Sequence, residues 1–218
     1  MKNYSIYLFD FDYTLADSSQ GIVKCYTHVL HQNGFMNVEP YAIKRTIGKT
    51  LEDSFEELTG IHDETTIQEM KKAYVKYADQ VMNQNTFLFP EVKNVLATLH
   101  KRGAKVGIVS TKYRYRILSF LEAEDCMQYI DLIVGGEDVT AHKPSPEGVE
   151  KAIKILSDAI GTPISKQTCL YLGDSVIDAQ TAQAAEVPFC GVLHGTTTQE
   201  ELTIYPHAHI VLSLTELL

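Results

Sequence analysis

The chain has 218 residues, 44% of them hydrophobic and 22% charged, with a formal net charge of −9 and an isoelectric point near 5.3. That length suits one well-buried core and a small second module, while the acidic balance disfavours nucleic acid, which is recognised through basic patches. A membrane span is not expected, since no apolar run approaches the roughly 18 residues it needs.

Met1-Lys2-Asn3-Tyr4-Ser5 lacks the apolar core and cleavage pattern of a signal peptide. It leads into Ile6-Tyr7-Leu8-Phe9, a short apolar run that stops abruptly at Asp10 and Asp12. Helical periodicity follows: Ile22, Val23, Tyr26, Val29 and Leu30 share a face, with Asp17 or Ser18 as cap and Gly34 as stop. Thr50-Leu51-Glu52-Asp53 resembles a capping box ahead of Leu51, Phe55 and Leu58, and Ile67, Met70, Tyr74, Tyr77 and Val81 mark a longer amphipathic helix. From about residue 16 to about residue 85 the pattern is thus helix after helix, with no convincing strand.

After Asn83-Gln84-Asn85 the rhythm changes. A helix through Val92–Leu99 ends at Gly103, and Val106–Val109 reads as a buried strand. A helix near 117–121 precedes the strand Leu132-Ile133-Val134, and one near 146–157 precedes Cys169–Leu172. A helix with Ala179, Ala182 and Ala185 follows, then strands near 189–192 and 210–212. Short apolar runs alternating with helices predict an α/β fold with a doubly wound parallel sheet, a Rossmann-like core. The helical stretch is too long for an ordinary crossover and reads as an inserted α-helical cap domain. The expected division is residues 1–15 and 86–218 for the core and 16–85 for the cap. Cys25, Cys126, Cys169 and Cys190 form no C-x-x-C pair and read as reduced, buried thiols of a cytoplasmic protein.

Such sheets bind ligands beyond the carboxyl ends of their strands. Asp10 and Asp12 end the first strand two residues apart, so both side chains project to one side. Adjacent carboxylates repel unless a cation intervenes, and Mg²⁺ favours one or two carboxylates plus water and phosphate. A solvated acidic turn is the alternative. Asp174 follows another strand, and Asp178 is four residues on, the spacing of one helix face; either aspartate alone reads equally as a helix cap or first-turn charge. Ser110 and Thr111 follow a third strand, where a hydroxyl and backbone N–H groups suit a phosphate oxygen or a helix cap. Lys143 lies in the loop after Leu132–Val134, its backbone restricted by Pro144. Each residue has a bland reading. Their coincidence at the one edge where such sheets bind ligands favours a functional constellation over independent bland readings.

These residues resemble the haloacid dehalogenase superfamily, made up largely of phosphatases. Asp10-Phe11-Asp12-Tyr13-Thr14 matches its first motif, Ser110 the second, Lys143 the third and Gly173-Asp174-Ser175-x-x-Asp178 the fourth. Asp138-Val139-x-x-x-Lys143-Pro144-x-Pro146 and the tail from His194-Gly195-Thr196 look most like phosphoglycolate phosphatase-type members. One departure is Tyr13, where the family commonly has glycine. Either the backbone there does not need positive φ, or Tyr13 reshapes the entrance near the leaving group.

The resemblance implies a Mg²⁺-dependent phosphoric monoester hydrolase acting on a small phosphate ester, phosphoglycolate-like or a sugar phosphate. Asp10 would be the nucleophile that becomes phosphorylated, and Asp12 the acid and then the base. Ser110, Thr111 and Lys143 would hold the phosphoryl oxygens, and Asp10, the backbone carbonyl of Asp12, Asp174 and Asp178 the metal. Lys49, in Thr46-Ile47-Gly48-Lys49-Thr50, is the candidate substrate contact of the cap; an exposed interhelix lysine is the alternative. The expected partner is a small phosphorylated metabolite, neither nucleic acid nor membrane, with the chain acting as a monomer or homodimer. Asp12 argues against dehalogenation, which needs no leaving-group acid. A phosphosugar mutase of the beta-phosphoglucomutase type and a non-catalytic regulatory member are the rival readings.

Overall fold

The computed structural model describes residues 4–218; residues 1–3, part of the stretch read above as lacking a signal sequence, lie outside the described residues. The chain divides into two units, Met1–Ala16 with Leu88–Leu218, and Asp17–Phe87.

In chain order, β1 (Ile6–Phe9) and the two-residue β2 (Ala16–Asp17) precede four helices. These are α1 (Ser19–Gln32), α2 (Pro40–Arg45), α3 (Leu51–Thr59) and α4 (Glu64–Val81). Then come β3 (Phe87–Leu88), α5 (Val92–Lys101), β4 (Lys105–Val109), α6 (Arg114–Ala123), β5 (Leu132–Val134) and α7 (Glu147–Ile160). The chain closes with β6 (Cys169–Gly173), α8 (Val176–Ala185), β7 (Phe189–Val192), α9 (Gln199–Thr203) and β8 (His209–Val211).

In the helical unit, caps and core follow from the sequence. Of the two candidate caps of α1, Asp17 supplies the bond: its Oδ1 accepts from Ser19 N at 2.9 Å, while the Ser18 side chain makes no capping bond. Thr50 accepts from Asp53 N at the start of α3, and Asp63 from Thr66 N at the start of α4. The apolar faces meet in a separate core that includes Ile22, Val29, Leu30 and Met70. At its centre Tyr26 lies 4.8 Å, ring to ring, from both Phe55 and Tyr74. Two details differ from expectation. Helix α2 has a single buried residue, Ile43, and so leaves almost no periodic signal, and the stretch from residue 16 opens on β2 rather than on a helix.

In the other unit, six parallel strands are ordered β5-β4-β1-β6-β7-β8. Alternate residues feed opposite layers. Tyr7 and Phe9 of β1 join a core with Val95 and Leu99 of α5 and Ile117 and Phe120 of α6. Ile6 and Leu8 join another with Val149 and Leu156 of α7 and the alanines of α8. Helices therefore cover both faces, which is why the central strands read as unbroken apolar runs. Strand β8 begins one residue earlier than anticipated and leaves Leu212 exposed. Among the described residues, no helix is long and apolar enough to cross a membrane.

The topology selects a location for chemistry. From β1 the chain winds through β4 to β5, then returns to β6 on the other side of β1 and continues outward to β8. The carboxyl ends of β1, β4 and β6 therefore meet at the switch point, where such sheets open a crevice.

Candidate active site

Asp10 directly follows β1, and its N–H donates to Leu172 O at 2.8 Å, extending the β1–β6 ladder by one residue. Asp174 directly follows β6. Asp178 sits in the first turn of α8 in a capping box: Ser175 N and Oγ donate to its Oδ2 at 3.1 and 2.6 Å, and its own N–H donates to Ser175 Oγ. Helix cap and site member are thus both true of Asp178. Asp174 lies before the helix, so the two aspartates do not share a helical face; the turn and the cap bring them together. Gly173 makes the approach possible, because a Cβ there would lie 2.3 Å from Asp178 Cγ. Gly195 does the same for Asp174, since a Cβ there would fall 2.0 Å from Asp174 Oδ2.

Asp10, Asp174 and Asp178, all buried, each offer a carboxylate oxygen within 4.8 Å of the others. Lys143 reaches into this group, its Nζ 2.8 Å from Asp10 Oδ1 and 2.7 Å from Asp178 Oδ1. Tyr171 Oη lies 3.1 Å from both Asp178 Oδ1 and Val109 O. Burial raises the Asp10 carboxyl from its ordinary 3.8 to about 6; Lys143 opposes the rise, and Asp178 and Asp12 add to it. Burial, then Asp178 and Asp10, holds Asp174 well above the usual carboxylate range. Burial works against the Lys143 charge, yet Asp10 and Asp178 together keep its pKa well above the ordinary lysine value.

Three buried carboxylates around one ammonium leave an excess of two negative charges, which a hard divalent cation would neutralise. Asp10 Oδ1 is buried and accepts no well-directed hydrogen bond, although Lys143 is close. The donor set is all oxygen. These residues fit Mg²⁺.

Asp12 stands outside this group. Its carboxylate meets Lys112 Nζ at 2.9 and 3.2 Å. Ser110, Thr111 and Lys143, expected to act together, do line one small cleft, with Gly135, His142 and Ser145. Tyr13 has φ of 59°, so the first alternative for it is excluded: the backbone does enter the left-handed region, at a strain of roughly 1–3 kcal/mol for a residue other than glycine. Lys49 pairs with Glu57 inside the helical unit.

Sequence reasoning missed Lys112, Tyr171 and a pair formed by His194 and Glu91, whose nearest atoms are 3.3 Å apart. For Lys112 a signal existed: it follows Ser110 by two residues, as Asp12 follows Asp10. Nothing local marks Tyr171, because a strand tyrosine reads simply as core.

Comparison with known proteins agrees with this geometry. Residues 7–192 match the model of the haloacid dehalogenase-like hydrolases. The chain belongs to that family. A phosphoglycolate phosphatase from Shigella boydii is 28% identical over 96% of this chain and 89% of its own, and one from Escherichia coli K12 is 30% identical over 80% and 65%. Among solved structures, a haloacid dehalogenase-like hydrolase from Bacteroides fragilis is 49% identical, with a TM-score of 0.93 over 99% of this chain and 100% of that one. A predicted phosphatase from Clostridium acetobutylicum is 25% identical, with a TM-score of 0.89 over 99% and 97%. This hydrolase is a phosphatase of phosphoric monoesters, similar to the phosphoglycolate phosphatases.

Proposed function

We propose that this phosphatase uses Mg²⁺ and forms a phosphoaspartyl intermediate on Asp10, with a small phosphate monoester, phosphoglycolate-like or a sugar phosphate, as substrate. The observation that carries the reading is the division of the carboxylates: Asp10, Asp174 and Asp178 converge around Lys143, and Asp12 stands apart from them. The phosphoglycolate phosphatases among its relatives support the substrate class.

Asp10, Asp174 and Asp178, with the backbone carbonyl of Asp12, would hold Mg²⁺, which when bound offsets the negative charge of carboxylates and phosphate. An Asp10 carboxylate oxygen attacks phosphorus, and the P–O bond to the leaving group breaks. Asp12 gives a proton to the departing oxygen, then takes one from the water that attacks the phosphoaspartate, releasing phosphate and restoring Asp10. Lys143 and the hydroxyls of Ser110 and Thr111 hold the phosphoryl oxygens, supplying preorganised positive charge and donors. Lys143 also offsets the repulsion between an anionic substrate and the anionic nucleophile.

The test is release of p-nitrophenol from its phosphate ester with and without Mg²⁺, followed by a screen of phosphorylated metabolites. Asp10→Asn should abolish turnover; activity unchanged in that variant would sink the mechanism. Turnover of a hexose 1-phosphate to the 6-phosphate without release of phosphate would overturn the phosphatase assignment. Lys49→Ala separates a substrate contact, which lowers kcat/KM on the best substrate, from a purely local pair with Glu57, which leaves it unchanged.

A further inference from the structure

Asp10 and Asp12 leave the same strand two residues apart, yet their carboxylates have different surroundings. That of Asp10 joins Asp174 and Asp178, whereas that of Asp12 is held through both oxygens by Lys112. We propose that Lys112 is a positioning residue that draws the Asp12 carboxylate out of the acidic cluster and aims it at the leaving-group oxygen. The proposal rests on the roles of Asp10 and Asp12 given above.

Lys112 is built into the fold. Its side chain is 7% exposed, against 12% for Asp12, so this pair is sheltered from the solvent that weakens surface ion pairs. The ammonium lies 5.4 Å from the centre of the Phe11 ring, which is fully buried and packed edge-on against Phe120 at 5.7 Å. The backbone of Lys112 is bound at both ends: its N–H donates to Ser110 Oγ at 3.3 Å, and its carbonyl accepts from Gly136 N at 3.0 Å. Gly136 keeps that turn close to the loop, because a Cβ there would lie 2.4 Å from Thr111 O.

The two lysines thus share out the carboxylates. Lys143 sits within the cluster beside the nucleophile, and Lys112 holds the fourth carboxylate away from it. Removing Lys112 takes away the ammonium that holds both Asp12 oxygens, and a carboxylate drawn instead to a cation in the cluster is misdirected for proton exchange. Misplacement of a reacting group by about 1 Å costs on the order of 100-fold in rate.

The test compares leaving groups in the Mg²⁺-loaded enzyme. An alkyl phosphate needs a proton on its departing oxygen, whereas dinitrophenolate departs without one. kcat/KM reports the steps up to leaving-group departure, so it isolates the acid role of Asp12. Lys112→Met should lower kcat/KM on the best alkyl phosphate on the order of 100-fold, and on dinitrophenyl phosphate by about tenfold or less. Lys112→Arg, which keeps a cation at that place, should recover most of the loss. Equal losses on both substrates would assign Lys112 to phosphoryl binding and overturn the proposal, as would no loss on either. Asp12→Asn separates the two readings. If it shows the leaving-group difference and Lys112→Met does not, the role of Asp12 stands and that of Lys112 falls. If Asp12→Asn itself shows no difference, both fall. Should Lys112→Met fail to fold, Lys112→Gln takes its place in the comparison, with Lys112→Arg again as the rescue.

Discussion

At Gly173 the absence of a side chain is what lets a carboxylate into the site. A methyl group there would occupy the position of the Asp178 side chain. Gly173→Ala should therefore weaken Mg²⁺ binding by about 10–100-fold, measured by calorimetry, with the far-ultraviolet spectrum retained. Asp10 yields a prediction in pH. Its folded pKa, about 6, exceeds the ordinary 3.8, so between these values the folded state binds more protons than the unfolded one. Its contribution to stability is thus fully present below about pH 4 and is lost as pH rises through about 6. In chelator, Asp10→Asn should gain stability relative to the unsubstituted chain as pH rises through that window. The gain should be on the order of 2 kcal/mol, read from urea midpoints at pH 4 and pH 7. A difference that stays flat with pH would refute the assignment of the raised carboxyl to Asp10.

Among the elements, β6 links the site most directly to the packing. Tyr171 is fully buried in the layer that Val149, Leu156 and Ala182 help to form, and its hydroxyl has one proton for two acceptors, Val109 O on β4 and Asp178 Oδ1 on α8. Tyr171→Phe should cost about 1–2 kcal/mol, the expense of leaving a buried acceptor short of a donor, measured by chemical denaturation. Strand positions were legible because parallel strands buried on both faces are uninterrupted apolar runs, as Ile6–Phe9 and Cys169–Leu172 are. Helix α2 was not, since six residues with one buried side chain carry no period. The capping role of Ser175 was also missed: the Asp174–Asp178 spacing suggested a shared face, but Asp174 lies outside the helix.

For the whole molecule, the proposed cation at Asp10, Asp174 and Asp178 would bind the folded chain and not the unfolded one. Mg²⁺ at about 100 times its Kd should add about 2.7 kcal/mol of stability and raise Tm, and Asp174→Asn should remove most of that gain. Burial pushes the Cys169 and Cys190 thiols up to about 12 and encloses them in two sheet layers. Both should resist a thiol reagent at pH 8 in the folded protein and react as it unfolds; rapid labelling in native buffer would contradict this. The α/β pattern, the strand-end placement of Asp10, Ser110 and Asp174, and the resemblance carried by four short motifs were all determined by the sequence alone, because each depends on local spacing and on which side chains avoid water. The partner of each carboxylate was decided only by the tertiary structure. Asp12 meets a lysine 100 positions away, and Asp178 one 35 positions away, and no local period encodes such distances. The sheet's switch point brings those loops together and places the carboxylates beside two different lysines, Lys143 and Lys112.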